Sequence, residues 1–291
     1  MSLLQQVLDK GEFAVTAEVA PPKGIDTSEM RDSAEFLRGK VHAVNVTDQQ
    51  SSVMRLGSLA SSIILKEDGF EPVLQMTTRD RNRVALQSDL LSSAALGIEN
   101  VLCLTGDYIT LGDHPQAKPV FDFDSVSLLM AAESLEQGHD IVGNKLQGEP
   151  HFFLGAVVTP GYDPMDLQVM KMRRKVSAGA QFFQTQAVYD CELFGRFMKQ
   201  ARELEVPVLL GIVLLKSAGM ARYMNSNVAG VTVPDWIIDE MSKSKDKLAT
   251  CIRITASIIR ETMDLCQGIH LMAMGWEEYV PEILIEAGIQ M

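Results

Sequence analysis

The sequence predicts a (β/α)8 barrel, an α/β fold in which eight parallel strands form a closed ring inside a ring of helices. Short runs rich in β-branched and aromatic residues alternate with longer helical patterns along the whole chain, as in repeated βα units. These runs number eight, which is the strand count of this barrel. Polar side chains also gather where the runs end, which is where such a barrel builds its active site.

The predicted strands are short enough to cross a barrel once and are bounded by turn residues or polar residues. They are Phe13–Val19, His42–Val46, Pro72–Met76, Asn100–Leu104, Phe152–Val158, Gln181–Gln184, Pro207–Ile212 and Gly268–Met272. In the first strand, side chains alternate between the two faces, which places Glu18 on the face of Ala14 and Thr16. We therefore expect the Glu18 carboxylate to point into the mouth of the barrel.

Stretches with helical spacing of apolar residues follow the strands. They are Ser28–Arg38, Arg55–Lys66, Arg81–Leu96, Ser125–Gln137, Met165–Ala178, Glu192–Leu204, the region Ala218–Thr262, and Trp276–Ala287. Because the region from 218 to 262 is longer than one barrel helix, we expect an extra helix before the last strand. We predict a single domain over residues 1–291, with an open doubly wound sheet as the alternative.

Acidic residues dominate the charge of the chain. Its 291 residues include 26 Lys plus Arg and 38 Asp plus Glu, for a net charge of −12, which argues against a surface for nucleic acid. Residues 1–13 lack the apolar run of a signal peptide, and no stretch reaches the roughly 20 apolar residues of a membrane span. We expect a cytoplasmic protein without membrane insertion. The cysteines and histidines lack metal-ligand spacing, so we predict no metal site.

Polar residues at the ends of six predicted strands form the candidate site. They are Glu18 on the first strand; Asn45, Thr47 and Asp48 on the second; Gln75 and Thr77 on the third; Thr105 and Asp107 on the fourth; Thr159 on the fifth; and Gln184 and Gln186 on the sixth. A carboxyl in the barrel mouth suits an acid or a base. The alternative for Glu18 is a salt bridge within the barrel.

Two basic clusters stand out in this acidic chain. One consists of Arg79, Arg81 and Arg83, and the other is the run of residues 173–175, Arg-Arg-Lys. Arginine offers a bidentate fork and lysine a point charge, so either cluster could hold phosphate or carboxylate groups of a ligand. The alternative is a solvated helix face with ion pairs to nearby acidic residues.

Five segments in this order resemble the methylenetetrahydrofolate reductase family, whose members are flavin-containing (β/α)8 enzymes. The segments are Thr-Ala-Glu-Val-Ala-Pro-Pro-Lys at 16–23, Val-Asn-Val-Thr at 44–47, Leu-Thr-Gly-Asp at 104–107, Arg-Arg-Lys-Val-Ser-Ala-Gly-Ala at 173–180, and Thr-Gln-Ala-Val-Tyr-Asp at 185–190. The resemblance covers nearly the whole chain. It implies an FAD-dependent enzyme that reduces methylenetetrahydrofolate to methyltetrahydrofolate by hydride transfer.

The resemblance also implies roles for individual residues. Glu18 matches the general acid, and Asp107 matches a catalytic aspartate beside the flavin and the pterin. Gln186, Gln184 and Asp107 are the expected folate-binding residues. The expected FAD-binding positions are Thr47, Gln75, Thr105, Gly106, Asp107, Thr159, Arg174 and Lys175. Gln75 and Thr159 stand where many members have His and Tyr, so the chain departs from the family pattern there.

The electron donor is less clearly indicated by the family pattern. NADH-using relatives tend to have Pro near position 214 and an aromatic residue near 218, and this chain has Leu214 and Ala218. The run of residues 75–83 resembles a branch from anaerobic one-carbon pathways that works with a separate zinc and iron–sulfur subunit. We expect an oligomer that receives electrons from NAD(P)H or through such a partner. The alternatives are a flavin-free pterin-binding methyltransferase-type barrel and a non-catalytic subunit of a larger complex.

Overall fold

A closed barrel of eight parallel strands is the centre of the computed structural model, which describes residues 1–290. The strands are β1 Ala14–Val19, β2 Ala43–Val46, β3 Pro72–Thr77, β4 Asn100–Leu104, β5 Phe153–Val158, β6 Phe182–Ala187, β7 Val208–Val213 and β8 Gly268–Met272. Each pairs with its neighbour in chain order, and β8 closes the ring on β1, where Ala14 is opposite Gly268. The predicted (β/α)8 barrel is confirmed, and the open sheet is excluded.

Helices surround the barrel, and all but the first correspond to predicted helical stretches. They are α1 Leu3–Asp9, α2 Ser28–Glu35, α3 Ser58–Glu67, α4 Arg83–Ala95, α5 Ser125–Glu136, α6 Met165–Val176, α7 Cys191–Ala201, α8 Ala218–Asn227, α9 Asp235–Lys243, α10 Lys247–Thr262 and α11 Val280–Glu286. Within residues 1–290, no helix combines the length and the apolar character needed to cross a membrane.

The region before the last strand contains more helices than the sequence predicts. We expected one extra helix between Ala218 and Thr262, and the structure has two extra, because α8, α9 and α10 are separate. Pro234 interrupts the chain before α9, since proline cannot donate the hydrogen bond that a continuing helix needs. Asp246 begins α10 by accepting a hydrogen bond from Ala249 N, as an N-cap does.

Helix α1, which the sequence analysis did not predict, closes the N-terminal end of the barrel. Ser2 caps it by accepting a hydrogen bond from Gln5 N. Leu4 is fully buried in a cluster with the interior residues Phe153 and Phe182, whose rings stack at 4.8 Å. The lower barrel is therefore a packed apolar core, and open space for chemistry is left at the C-terminal ends of the strands.

Strand β6 is longer than predicted at its C-terminal end. The expected strand ended at Gln184, whereas the observed strand continues to Ala187. Its register with β7 shifts between these two residues, as at a β-bulge. The extension carries Gln186 to the rim of the barrel, one layer above Gln184.

Candidate active site

The carboxyl group of Glu18 lies at the upper end of the barrel interior. Its strand neighbours Ala14 and Thr16 are interior residues, while Val15 and Val19 pack against the helices, so the predicted alternation is confirmed. The Glu18 side chain is 12% exposed. Gln75 on β3 donates a hydrogen bond of 3.2 Å to Glu18 Oε1. This carboxyl is thus partly shielded from water but open towards the barrel mouth.

A buried polar layer lies directly below Glu18. Gln184 and Asn45 exchange two amide hydrogen bonds of 2.8 and 3.1 Å, and Gln184 Nε2 also lies 3.4 Å from Thr16 Oγ1. The next member of the layer is His270, whose Nδ1 is 2.9 Å from the Thr16 hydroxyl. The amide of Gln184, expected to bind folate, is thus already engaged inside the protein. Contact between Gln184 and a ligand requires this amide pair to open.

Gln186 and Asp107 are closer to the rim. The Gln186 side chain accepts a hydrogen bond of 3.0 Å from Ala187 N at the end of β6. Asp107 is exposed in the loop after β4, and its Oδ2 accepts a hydrogen bond of 2.9 Å from Ser51 N in the loop after β2. Gln186 thus lies at the end of β6 and Asp107 in the loop after β4, with β5 between these two strands.

Gly106 allows the tight path of the loop that carries Asp107. Its φ is +94°, and a Cβ there would lie 3.2 Å from side-chain atoms of both Arg79 and Thr77. A larger residue would therefore be strained in conformation and crowded by its neighbours. The family motif Leu-Thr-Gly-Asp places its glycine where the backbone of this loop needs it.

The arginines at 79, 81 and 83 are ion-paired within the protein. Arg79 is buried, with 1% of its side chain exposed, and forms a bidentate pair with Asp80. It also donates to backbone carbonyls of the loops after β2 and β4. Arg81 pairs with Asp48 and Asp89, and Arg83 pairs with Asp122. The ion pairs of the alternative are present, but this cluster is not a solvated helix face, because Arg79 is buried and precedes α4. Its physical role is to fix the loops around the mouth.

The second basic cluster borders an open pocket of about 400 Å³ between β4, β5, α5 and α6. Four expected FAD-binding residues line it, namely Thr105, Thr159, Arg174 and Lys175. Lys171 adds a third cation to the wall, and Asp124 is the carboxylate among the lining residues. Arg173 is not part of the lining. This excess of positive charge suits an anionic ligand.

Lys175 is the buried cation of this pocket. Its Nζ donates a hydrogen bond of 2.6 Å to the carbonyl of Val157 at the end of β5. Burial lowers the pKa of Lys175 to about 8, and the nearby charge of Lys171 acts in the same direction. The Asp124 carboxylate acts in the opposite direction. A phosphate group in the pocket would supply the counter-charge that Lys175 lacks.

Thr47 leaves a buried polar atom available at the end of β2. The residue is 1% exposed, and its Oγ1 has no hydrogen-bond partner within residues 1–290. An orphan hydroxyl of this kind costs free energy unless a ligand or water completes it. The place of Thr47 in a cofactor site stays a prediction.

The sequence analysis missed His270 and Thr16 as site residues. Each of the five histidines was judged structural or superficial because none had metal-ligand spacing. The available signal was the strand alternation, since His270 shares a face of β8 with Gly268 and Met272. Across residues 1–290, no three His, Cys, Asp or Glu side chains are grouped so that they could hold a metal ion.

Sequence comparisons with known proteins agree on one family. A sequence model of methylenetetrahydrofolate reductase matches residues 3–288. A protein of Caenorhabditis elegans named probable methylenetetrahydrofolate reductase (NADPH) is 24% identical over 243 residues, covering 80% of this chain and 34% of the relative. Methylenetetrahydrofolate reductase 2 of Schizosaccharomyces pombe is 25% identical over 231 residues, covering 74% and 35%. The chain therefore spans about a third of the length of these relatives.

Solved structures share the barrel. A protein from Clostridium thermocellum, described as binding two copies of 5-methyl-5,6,7,8-tetrahydrofolic acid, superposes with a TM-score of 0.67 at 17% identity and 98% coverage of both chains. A 2,3-dimethylmalate lyase superposes with a TM-score of 0.53 at 12% identity, covering 99% of this chain and 87% of the other. These identities support the fold alone. The family match over nearly the whole length shows more: the chain belongs to the methylenetetrahydrofolate reductase family.

Proposed function

We propose that this chain reduces methylenetetrahydrofolate to methyltetrahydrofolate with a bound FAD, and that Glu18 is the general acid. The observation that carries the proposal is the position of Glu18, a partly shielded carboxyl at the mouth of a barrel whose sequence belongs to this family. In (β/α)8 enzymes the reacting groups lie at this end of the strands.

The substrate explains why an acid is needed. The five-membered ring of methylenetetrahydrofolate must open to an iminium before its carbon can accept hydride, and opening requires protonation of the departing nitrogen. A carboxylic acid at the barrel mouth is a suitable donor of that proton. Glu18 fills this role, with Gln75 fixing the direction of its carboxyl through the 3.2 Å hydrogen bond.

The chain has groups suited to hold FAD. Arg174, Lys175 and Lys171 would hold the anionic diphosphate, because they place three cations around one pocket. Thr47 would complete its hydrogen bonding against the cofactor. Once bound and reduced, FAD would supply the hydride that the iminium carbon accepts.

Asp107 would stabilise the positive charge that forms on the substrate during the reaction. Its carboxylate lies beside the mouth and is anchored by Ser51 N at 2.9 Å. A fixed negative charge stabilises a cationic iminium that forms beside it. Gln186 at the same rim would hydrogen-bond the pterin and so set its orientation.

Replacement of the Glu18 carboxyl tests the proposal. We expect Glu18→Gln to keep FAD bound and reducible by dithionite but to lower folate reduction by at least about 100-fold, because the amide cannot donate a proton in the same way. Glu12→Gln makes the same change at the exposed N-terminal end of the barrel and should leave the rate unchanged. Turnover by Glu18→Gln at the wild-type rate would remove Glu18 from the acid role.

The proposed reaction has two candidate electron donors. Electrons come either from NAD(P)H directly or through a partner subunit that carries zinc and an iron–sulfur cluster. We favour the partner, because Leu214, Leu215 and Ala218 are buried aliphatic residues and offer no aromatic face to a nicotinamide.

The alternative function is a flavin-free pterin-binding barrel. A protein that is colourless after purification with saturating FAD would favour that alternative over the FAD-dependent reductase.

A further inference from the structure

One buried cation beside the candidate site has no part in the reaction proposed above. Arg79 follows β3, and only 1% of its side chain is exposed. Its guanidinium donates to both oxygens of the Asp80 carboxylate, at 2.8 and 2.6 Å, and this pair supplies the counter-charge that a buried cation needs. The pair leaves further N–H donors of the guanidinium for other partners.

The remaining donors of Arg79 join two loops of the barrel rim. Nη1 lies 3.2 Å from the carbonyl oxygen of Asp107 in the loop after β4, and Nη2 lies 3.3 Å from that of Gln49 in the loop after β2. The backbone carbonyl of Arg79 also accepts a hydrogen bond of 2.7 Å from Val120 N, further along the loop after β4. One residue at the end of β3 thus holds the loops that follow both neighbouring strands.

The loop after β2 has a strained backbone that needs such support. Gln49, Ser51 and Ser52 have φ of 49°, 55° and 57°, in the left-handed region that residues other than glycine seldom adopt. Residues of this kind persist where surrounding contacts hold them. The strained path brings Ser51 N to 2.9 Å from Asp107 Oδ2, where the amide binds the carboxylate. Release of the Gln49 carbonyl would let the segment relax and withdraw this amide.

Other contacts between the two loops do not reach β3. The Ser52 hydroxyl donates to the carbonyl of Tyr108 at 3.0 Å, and Met54 N donates to Asp113 Oδ1 at 3.1 Å. These bonds join the loops to each other and would let them move together. Arg79 is different, because it connects both loops to the end of a barrel strand.

We propose that Arg79 is a positioning residue for Asp107: it clamps the loops after β2 and β4 to the end of β3, so that Ser51 N holds the Asp107 carboxylate in place. This rests on the proposed function, in which Asp107 stabilises the cationic iminium. The side chain of Arg79 is buried and its donors end on protein acceptors. Its influence on the reaction therefore passes through Asp107 and not through a contact with the substrate.

A double-mutant cycle in the FAD-loaded protein tests the inference. Arg79→Lys keeps a positive charge for Asp80, but a single ammonium group does not reproduce the fork that reaches both loops. We expect kcat for folate reduction to fall by about 10-fold to 100-fold, because a group displaced by about 1 Å loses much of its effect on the reaction. In an Asp107→Asn background the same substitution should lower kcat by less than about twofold, since the carboxylate that Arg79 positions is gone.

The cycle separates positioning from a general loss of structure. A protein that is merely less well folded would lose the same factor of kcat in both backgrounds. Equal losses, or turnover by Arg79→Lys at the wild-type rate, would therefore overturn the inference.

Arg38→Lys is the matched control for Arg79→Lys. Arg38 also binds a carboxylate and a backbone carbonyl, donating to Glu35 at 2.8 Å and to the carbonyl of Asp68 at 3.0 Å, but it lies outside the barrel between α2 and α3. It should leave kcat unchanged. A fall in kcat as large as that of Arg79→Lys would count against a specific role for Arg79.

Hydrogen exchange tests the clamp without cofactor or turnover. Mass spectrometry follows a peptide that contains residues 49–54, in which Ser51 N and Met54 N are bound to acceptors in the loop after β4. We expect Arg79→Lys to speed exchange in this peptide by about 10-fold and Arg38→Lys to leave it unchanged. Wild-type exchange in Arg79→Lys would show that Arg79 is not the clamp. Because no activity is needed, this result separates failure of the clamp from failure of the folate reductase proposal, which Glu18→Gln tests independently.

Discussion

The positive charge of Lys175 favours binding of an anionic ligand but destabilises the folded protein. Its ammonium group is buried beside β5, and burial lowers its pKa to about 8 from an ordinary value of 10.5. Holding the charge at pH 7 therefore destabilises the ligand-free protein. An anionic ligand would recover that cost, because it supplies the missing counter-charge.

Replacement of Lys175 should consequently weaken binding and strengthen the fold. We expect Lys175→Met to weaken FAD binding at pH 7 by about 10-fold to 100-fold, the usual loss for a charge-assisted hydrogen bond. It should also raise the free energy of unfolding at pH 7 by about 1–3 kcal/mol. The stability gain should shrink as pH rises from 8 to 10, because the folded wild-type protein releases the Lys175 proton before the unfolded chain does.

Flavin fluorescence titration and urea denaturation measure the two effects of Lys175→Met. Lys171→Met is the matched control, since Lys171 lines the same pocket but is exposed. It should change the free energy of unfolding by less than about 0.5 kcal/mol. Equal effects of the two substitutions on stability would contradict the account of Lys175 as a buried charge.

Among the elements of secondary structure, α1 has the clearest structural task. It seals the N-terminal end of the barrel, where Leu4, Val7 and Leu8 join the interior cluster that contains the stacked Phe153 and Phe182. Without it, the lower interior residues would meet water. The seal leaves the opposite end of the barrel as the place where a ligand can enter.

Truncation of Leu4 tests this task. Leu4 is fully buried, so Leu4→Ala should lower the free energy of unfolding by about 2–5 kcal/mol through lost burial and the cavity left behind. Leu3→Ala changes the neighbouring residue, which is 46% exposed, and should cost less than about 0.5 kcal/mol. Equilibrium urea denaturation measures the free energy of unfolding of both variants. A Leu4→Ala loss below 1 kcal/mol would show that α1 is not part of the core.

For the whole molecule, closure of the barrel joins residues that are far apart in sequence. Glu18 on β1 and His270 on β8 come within 3.9 Å because these two strands pair. The cationic pocket lies elsewhere on the ring, between the neighbouring strands β4 and β5 and the helices α5 and α6. The single domain expected over residues 1–291 stays a prediction.

The electron donor can be tested on the complete chain. We expect the FAD-loaded protein alone to be bleached by dithionite under anaerobic conditions but to be reduced slowly by NADH and NADPH. The physical reason is that Leu214, Leu215 and Ala218 after β7 are buried aliphatic residues and provide no aromatic ring to stack on a nicotinamide. The flavin absorption in the visible range measures the reduction by dithionite and the reduction by each nucleotide. Brisk bleaching by either nucleotide, followed by reoxidation with methylenetetrahydrofolate, would defeat the partner form of the proposal.

The sequence by itself determined the barrel, the facing of Glu18 and the family, because these depend on local periodicity and on motifs in order along the chain. Residue type alone did not separate the two basic clusters, since Arg79 and Lys175 look alike until their neighbours are known, and only the family resemblance singled out Arg174 and Lys175. Nor did it reveal α1, the division of residues 218–262 into three helices, or the place of His270. Those features were decided by the tertiary structure, because pairing partners, burial and the contact between first and last strands arise only when the ring closes.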